Sequence, residues 1–143
     1  MKTFLIFLCL LLSTGVYSQE FKQLDDAKIN HQQLQFVKKF VADYFAEQAA
    51  GGYYAFSDNT ATDAMSNALS ASKQKTVYDQ LTSAFGAFKS FSYVQTWVDN
   101  NSHLTIYRFK GTFGTNNFLE IRVVMNYQGK IAGFFIKPWS ETL

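Results

Sequence analysis

The stretch HLTIYRFKGTFGTNNFLEIRVVMNYQGKIAGFFIKP, from His103 to Pro138, decides the fold. It is rich in β-branched and aromatic residues and is broken at Gly114-Thr115-Asn116 and Gln128-Gly129, which are turn signals. The spacing predicts strands over His103–Phe113, Asn117–Tyr127 and Lys130–Lys137, joined by connections short enough to require an antiparallel meander. A two-residue turn at Gln128-Gly129 pairs Tyr127 with Lys130, Met125 with Ala132, Val123 with Phe134 and Ile121 with Ile136. A three-residue loop at 114–116 pairs Phe113 with Asn117, Phe109 with Ile121 and Tyr107 with Val123. One face of the sheet then carries Tyr107, Phe109, Leu119, Ile121, Val123, Met125, Ala132, Phe134 and Ile136 without a charge. The other mixes Arg108, Lys110, Glu120, Arg122 and Lys137 with Ile106, Phe118, Val124, Ile131 and Phe135. A slip of one residue would carry those charges into the core, so the alternation fixes the register.

Working toward the N-terminus, Asp99-Asn100-Asn101-Ser102 marks another turn, and Phe88–Val98 reads as a fourth strand whose register the sequence leaves open. Before it, Ser72–Phe85 reads as a helix capped by Ser70 or Ser72, burying Val77, Leu81 and Phe85 and stopped by Gly86. Ser57–Asn67 is polar and aperiodic, and Tyr53–Phe56 reads as a short helical turn. From Leu34 to Phe45 the residues Leu34, Phe36, Val37, Phe40, Val41, Tyr44 and Phe45 recur every three or four positions, a stripe wide enough for a helix buried on two sides. Lys39, Asp43 and Glu47 form its solvated edge, and Gly51-Gly52 ends it. Helices first and a curled sheet afterwards make an α+β arrangement.

At the N-terminus, one lysine at position 2 precedes an apolar run from Phe4 to Leu12, then Ser13, Thr14 and Gly15, the three-part layout of a secretory signal. The run falls short of the about 20 apolar residues a membrane span needs. Val16 and Ser18 supply the small side chains that signal peptidase requires, so residues 1–18 are expected to be removed and the mature domain to run from Gln19 to Leu143, secreted or periplasmic, with no stable membrane insertion. The single cysteine, Cys9, lies inside the run behind Leu8, so lipidation is not expected and the mature chain has no disulfide. Without Lys2, 12 basic residues stand against 11 acidic ones, dispersed along the chain. That balance lacks the basic stripe of a nucleic-acid binder.

The amphipathic helix, the helix ending at Gly86, the run Phe88-Lys89-Ser90 and above all the hairpin Gly129-Lys130-Ile131-Ala132-Gly133-Phe134 together resemble the bacterial domain-of-unknown-function family 3887, over about Leu34 to Pro138. The resemblance implies the nuclear transport factor 2-like, cystatin-like superfamily: helices packed on a curved four-stranded antiparallel sheet. The family has no established activity, though members are sometimes attached to hydrolase domains. Enzymes of that superfamily hold an Asp or His base between sheet and helices. Here the inward face reconstructed above has neither. Asp99 stands at an element end, where it more simply initiates its turn. His31 and His103 have no ligand-spaced neighbours, so neither a metal nor any other cofactor is expected.

The aromatic fraction, 17% of the chain with 15 Phe, 8 Tyr and 2 Trp, is the unusual feature. Most of it fills a small core. Tyr44, Tyr53, Tyr54, Phe56, Trp97, Tyr107 and Phe134 are the candidate lining of an apolar ligand site at the open end of the sheet. The mixed face, with Lys110, Phe118, Glu120, Phe135 and Lys137, is the candidate homodimer interface; its alternatives are cover from a terminal segment such as Trp139–Leu143 and a face left solvated. A small apolar ligand or a cell-envelope protein is the other expected partner. The expected function is therefore a noncatalytic binding or interaction module. The alternatives are a small lyase or isomerase with an aromatic-lined pocket, and a structural dimerisation module.

Overall fold

Asn30 opens the long helix, its side-chain oxygen accepting from the Gln33 amide at 2.9 Å, a cap that satisfies one of the free N–H groups of the first turn. Helix α1 then runs His31–Ala49, a turn longer at each end than the apolar stripe alone marks, and Gly51 leaves it at φ +79°. The computed structural model describes residues 20–143; the expected signal sequence and its cleavage site lie outside them. Two further helices follow, α2 (Asp63–Ala68) and α3 (Ala71–Phe85). The strands are β1 (Phe21–Gln23), β2 (Phe88–Asp99), β3 (Leu104–Phe113), β4 (Asn117–Met125) and β5 (Ile131–Pro138), in one antiparallel sheet of order β1-β2-β3-β4-β5. The architecture is α+β, with the sheet open.

Four expectations are corrected. The sheet has five strands rather than four, because Phe21–Gln23 adds along Trp97–Asp99. The polar stretch 57–67 contains α2, capped by Thr62, whose hydroxyl accepts from the Met65 amide at 3.2 Å. Tyr53–Phe56 has no regular secondary structure where a helical turn is expected. Its backbone bonds go to a side chain: the buried Gln74 amide accepts from Tyr54 N (2.8 Å) and donates to Tyr54 O (2.8 Å) and Leu69 O (2.9 Å), while its oxygen also accepts from Gln48 Nε2 (2.8 Å). Lastly, the β4–β5 pairing follows the expected register at Ile121↔Ile136 and Val123↔Phe134 but shifts between Val124 and Met125, so that Met125 pairs with Ile131. Ala132 is the extra residue of a bulge, and Ile131 turns into the core in its place. The turn starts earlier than Gln128-Gly129 suggests because the Asn126 side chain accepts from both Gln128 N and Lys130 N.

The β3–β4 register is as expected, from Thr105↔Met125 to Phe113↔Asn117. Strand β2 breaks alternation at Val94, since Tyr93 pairs with Phe109 but Gln95 with Arg108. The bulge turns Tyr93 and Thr96 toward the helices and Gln95 and Trp97 away from them. Leu34, Val37, Phe40, Val41, Tyr44 and Phe45 of α1 share the core with Tyr107, Phe109, Ile121, Val123 and Phe134 of the sheet and Leu81 of α3. The end of α3 is tied down where Gly86 and Gly114 approach: Gly114 N donates to Ala87 O (2.8 Å) and Asn117 Nδ2 to Phe85 O (2.7 Å). A Cβ on either glycine would strike the other segment's backbone.

Candidate functional site

The expected aromatic lining is brought together in part. Phe40, Tyr44, Tyr54, Phe56 and Phe134 pack ring against ring, with centroids 4.8 Å apart for Tyr44 and Phe134, 5.0 Å for Phe40 and Tyr54, and 5.1 Å for Tyr54 and Phe56. The tilted and edge-on geometries suit the ring quadrupoles, each pair adding about 0.5–1.5 kcal/mol to simple burial. Tyr107 sits one strand pair away on the same face, its hydroxyl donating to Gln33 Oε1 at 2.7 Å. Tyr53 is exposed and makes none of these ring contacts. Trp97 lies on the far side of the sheet, opposite Ile106, which places it outside the cluster. The β2 bulge is the reason.

Within the cluster the Tyr44 hydroxyl is buried with no hydrogen-bond partner among the described residues. Burial pushes the Tyr44 phenol far above its ordinary range and, with Tyr93 nearby, pushes that of Tyr107 to about 12. Both are neutral at any physiological pH. Asp99 takes its turn role: its carboxylate accepts from Asn101 N (3.0 Å) and from the Ser102 hydroxyl, and the Ser102 bond holds its carboxyl below the usual range. An open depression of about 440 Å³ is lined by Gln23, Leu24, Asp25 and Asp26, away from any aromatic side chain of the cluster. Among the described residues no group of His, Cys, Asp and Glu is placed to hold a metal, and no helix is long and apolar enough to cross a membrane.

The helix-free face of the sheet carries the denser chemistry. Cross-strand pairing lays it out in rows: Gln95, Arg108, Arg122 and Phe135, then Lys110, Glu120 and Lys137. Glu120 is wholly buried and accepts from Arg108 Nε, from Arg122 Nη2 at 3.1 Å and from Lys137 Nζ at 3.1 Å. Burial alone would push its carboxyl up, but Arg108, Arg122 and Lys137 outweigh that and hold it below the usual carboxylate range. Arg108, itself fully buried, also donates to Gln95 Oε1 and, through Nη2, to the carbonyls of Ser140 (2.7 Å) and Thr142 (3.4 Å). Lys110 faces Glu120 in register, yet its ammonium sits over the rings of Phe118 (4.7 Å) and Trp139 (4.9 Å).

Of the five expected interface residues, Glu120 and Lys137 are therefore joined in one ion network, Lys110 and Phe118 touch at its margin, and Phe135 stands opposite Arg122. The C-terminal segment Trp139–Leu143 folds back over this face, as the alternative reading had it. What the sequence reading missed is Arg108 as the centre of the network, with Gln95 and Trp139 as its partners. A tryptophan directly after the strand-ending Pro138 was the available signal, since a large ring so placed seeks cover on the nearest face.

No curated protein and no solved structure matches the chain. A family model does: the one described as Protein of unknown function (DUF3887) matches residues 39–134, from the middle of α1 into β5. That span covers more than half of the chain and takes in the aromatic cluster and most of the ion network, so the chain belongs to this family of unknown function.

Proposed function

We propose that the protein is an exported, noncatalytic interaction module of nuclear transport factor 2-like architecture, and that it meets its partner through the helix-free face of the sheet. One observation carries the reading: Arg108 and Glu120 are buried at the centre of that face, with Arg122 and Lys137 on the same carboxylate and Lys110 at the margin. A buried ion pair is seldom a net source of stability, since desolvating two charges costs several kcal/mol, roughly what their attraction returns. An apolar centre would hold the sheet as well. The charges therefore suit recognition, where electrostatic complementarity selects partners. Phe118, 47% exposed beside Lys110, supplies apolar contact at the margin. Export rests on the signal-like residues 1–18, with maturation at Gln19. A mature mass beginning there in the extracellular or periplasmic fraction is the expected outcome; a full-length chain in the membrane would remove this part.

The contact face is tested by photo-crosslinking in the producing cell, with a benzophenone side chain at Phe118 and, separately, at Tyr53 on the helix side. A discrete heavier species from position 118 and none from position 53 is expected. No species from 118, or equal yields from both, would refute the reading.

A second reading is favoured by the partnerless Tyr44 hydroxyl: a small, mainly apolar ligand entering the aromatic cluster would satisfy it. Such a ligand must open the contacts among Tyr44, Tyr54, Phe56 and Phe134. A fluorescent apolar probe that binds the wild type but not a Tyr54→Ala variant would support it.

A further inference from the structure

Residues Trp139–Leu143 lie back against the sheet of their own domain. After Pro138 ends the ladder, Trp139 turns back over β3, its ring 5.2 Å from the Arg108 guanidinium and 4.9 Å from the Lys110 ammonium. The backbone then runs past Arg108, whose Nη2 donates to Ser140 O and Thr142 O. This strap is thinly held. Ser140, Glu141, Thr142 and Leu143 are all exposed, and the one carboxylate among their side chains, Glu141, accepts from the Trp139 indole rather than from a cation of the network.

Beneath it the charges do not balance. Arg108, Arg122 and Lys137 share Glu120, Arg108 and Arg122 stand directly opposite one another, and the Arg122 Nε is buried with no acceptor among the described residues. Like charges in direct cross-strand register repel. A neutral carbonyl on Arg108 relieves little of this. A carboxylate there would add a full negative charge and a second acceptor oxygen for the guanidinium, and would bring the network closer to neutrality.

The geometry points to the strap as a stand-in, held in cis, for a short acidic peptide segment of a partner protein, which displaces it and sets a carboxylate on Arg108 and Arg122. The surface already accepts a bent, irregular backbone and an aromatic ring, so the occupant's form is given by the strap; its charge is given by the cation excess. The inference rests on the helix-free face being the contact face, and it names the chemistry of the contact.

The probe is a fluorescein-labelled pentapeptide, Trp-Glu-Glu-Glu-Leu, which is the strap sequence with its Ser and Thr replaced by Glu; a second probe carries Lys at all three central positions. Fluorescence anisotropy with the mature chain should show Trp139→Ala, which frees the strap, binding the acidic peptide about tenfold more tightly than wild type, because the strap no longer competes for Arg108. Added Arg122→Gln should remove most of the gain, and rising salt should weaken binding. The lysine peptide should not bind. In the wild type, the backbone NMR resonances of Ser140–Leu143 should move toward random-coil positions as acidic peptide is added, a readout that needs no variant to fold. Equal binding of both peptides, unchanged affinity in a folded Trp139→Ala protein, or no shift of the strap resonances at saturating peptide would overturn the inference. So would conversion of Trp139→Ala to a dimer in light scattering, which would assign the surface to a second copy. A crosslinked species from position 118 alongside failed peptide binding strikes this inference alone; absence of that species strikes the contact face itself.

Discussion

Arg108 and Glu120, on neighbouring strands and offset diagonally in register, hold each other entirely out of water on the one face of the sheet that no helix covers. Removing one partner leaves the other charge stranded. Glu120→Ala should lower unfolding free energy by about 3–5 kcal/mol, the usual cost of an orphaned buried charge. The paired change Arg108→Met with Glu120→Leu should recover most of that, because Arg122 and Lys137 are partly exposed and can turn to solvent. Urea denaturation of the single and double variants measures both. A double variant as unstable as the single would show that the network, rather than the pair, is the stabilising unit.

The same network sets the acid limit. A carboxyl held below its ordinary value in the folded chain stabilises the fold above the unfolded value, and that contribution fades as pH falls through the folded one. Wild-type stability should therefore drop steeply below about pH 4, the ordinary glutamate range, with Asp99 contributing in the same direction. Glu120→Gln should be less stable at neutral pH and flatter with acid. Unfolding midpoints between neutral pH and pH 2.5 give the comparison.

Tyr44 and Tyr107 present a contrast within one core. The Tyr107 hydroxyl is bonded to Gln33, whereas that of Tyr44 has no partner among the described residues. Tyr107→Phe should cost about 1 kcal/mol, a typical net hydrogen bond, and Tyr44→Phe should be neutral or stabilising by a similar amount. Both phenols are raised by burial, so they favour the folded state below the ordinary tyrosine value of about 10, and the benefit is lost as pH climbs through about 12 for Tyr107. Phenolate absorbance should rise together with unfolding there.

Gln74 is the pin of the helical layer. Its amide meets Tyr54 at both backbone groups, Leu69 O and Gln48. Gln74→Leu keeps the volume but strands several buried groups, at about 1–3 kcal/mol for each one left unsatisfied. The expected result is a marked loss in melting temperature and early proteolytic cleavage near Tyr53–Phe56. Cleavage elsewhere first would show that the segment is held by its rings instead.

What could be read beforehand follows from how local each signal is. The β3–β4 register was legible because a three-residue loop and an uninterrupted apolar face agree on it. Strand β2 was not, since the Val94 bulge interrupts the period that the eye follows, and Ala132 does the same at the start of β5. Three residues, Phe21–Gln23, are too few for any period. Gln74 looks like one more polar residue on a helix surface, because nothing in its neighbours announces that Tyr54 will need it. The aromatic cluster at Tyr44, Tyr54, Phe56 and Phe134 was legible by composition and spacing. The burial of Arg108 was not: alternation says which way a side chain points, never what will later lie on top of it.

The pairing of β1 with β2 also sets an order in time. Strands β2 to β5 follow one another through short connections, so each can pair with a neighbour just synthesised, and the meander closes small loops at low entropic cost. Phe21–Gln23 leaves the ribosome ahead of the other four strands yet has nowhere to go until Trp97–Asp99 has been laid down beside β3. The earliest-made piece of the domain is thus among the last to be placed.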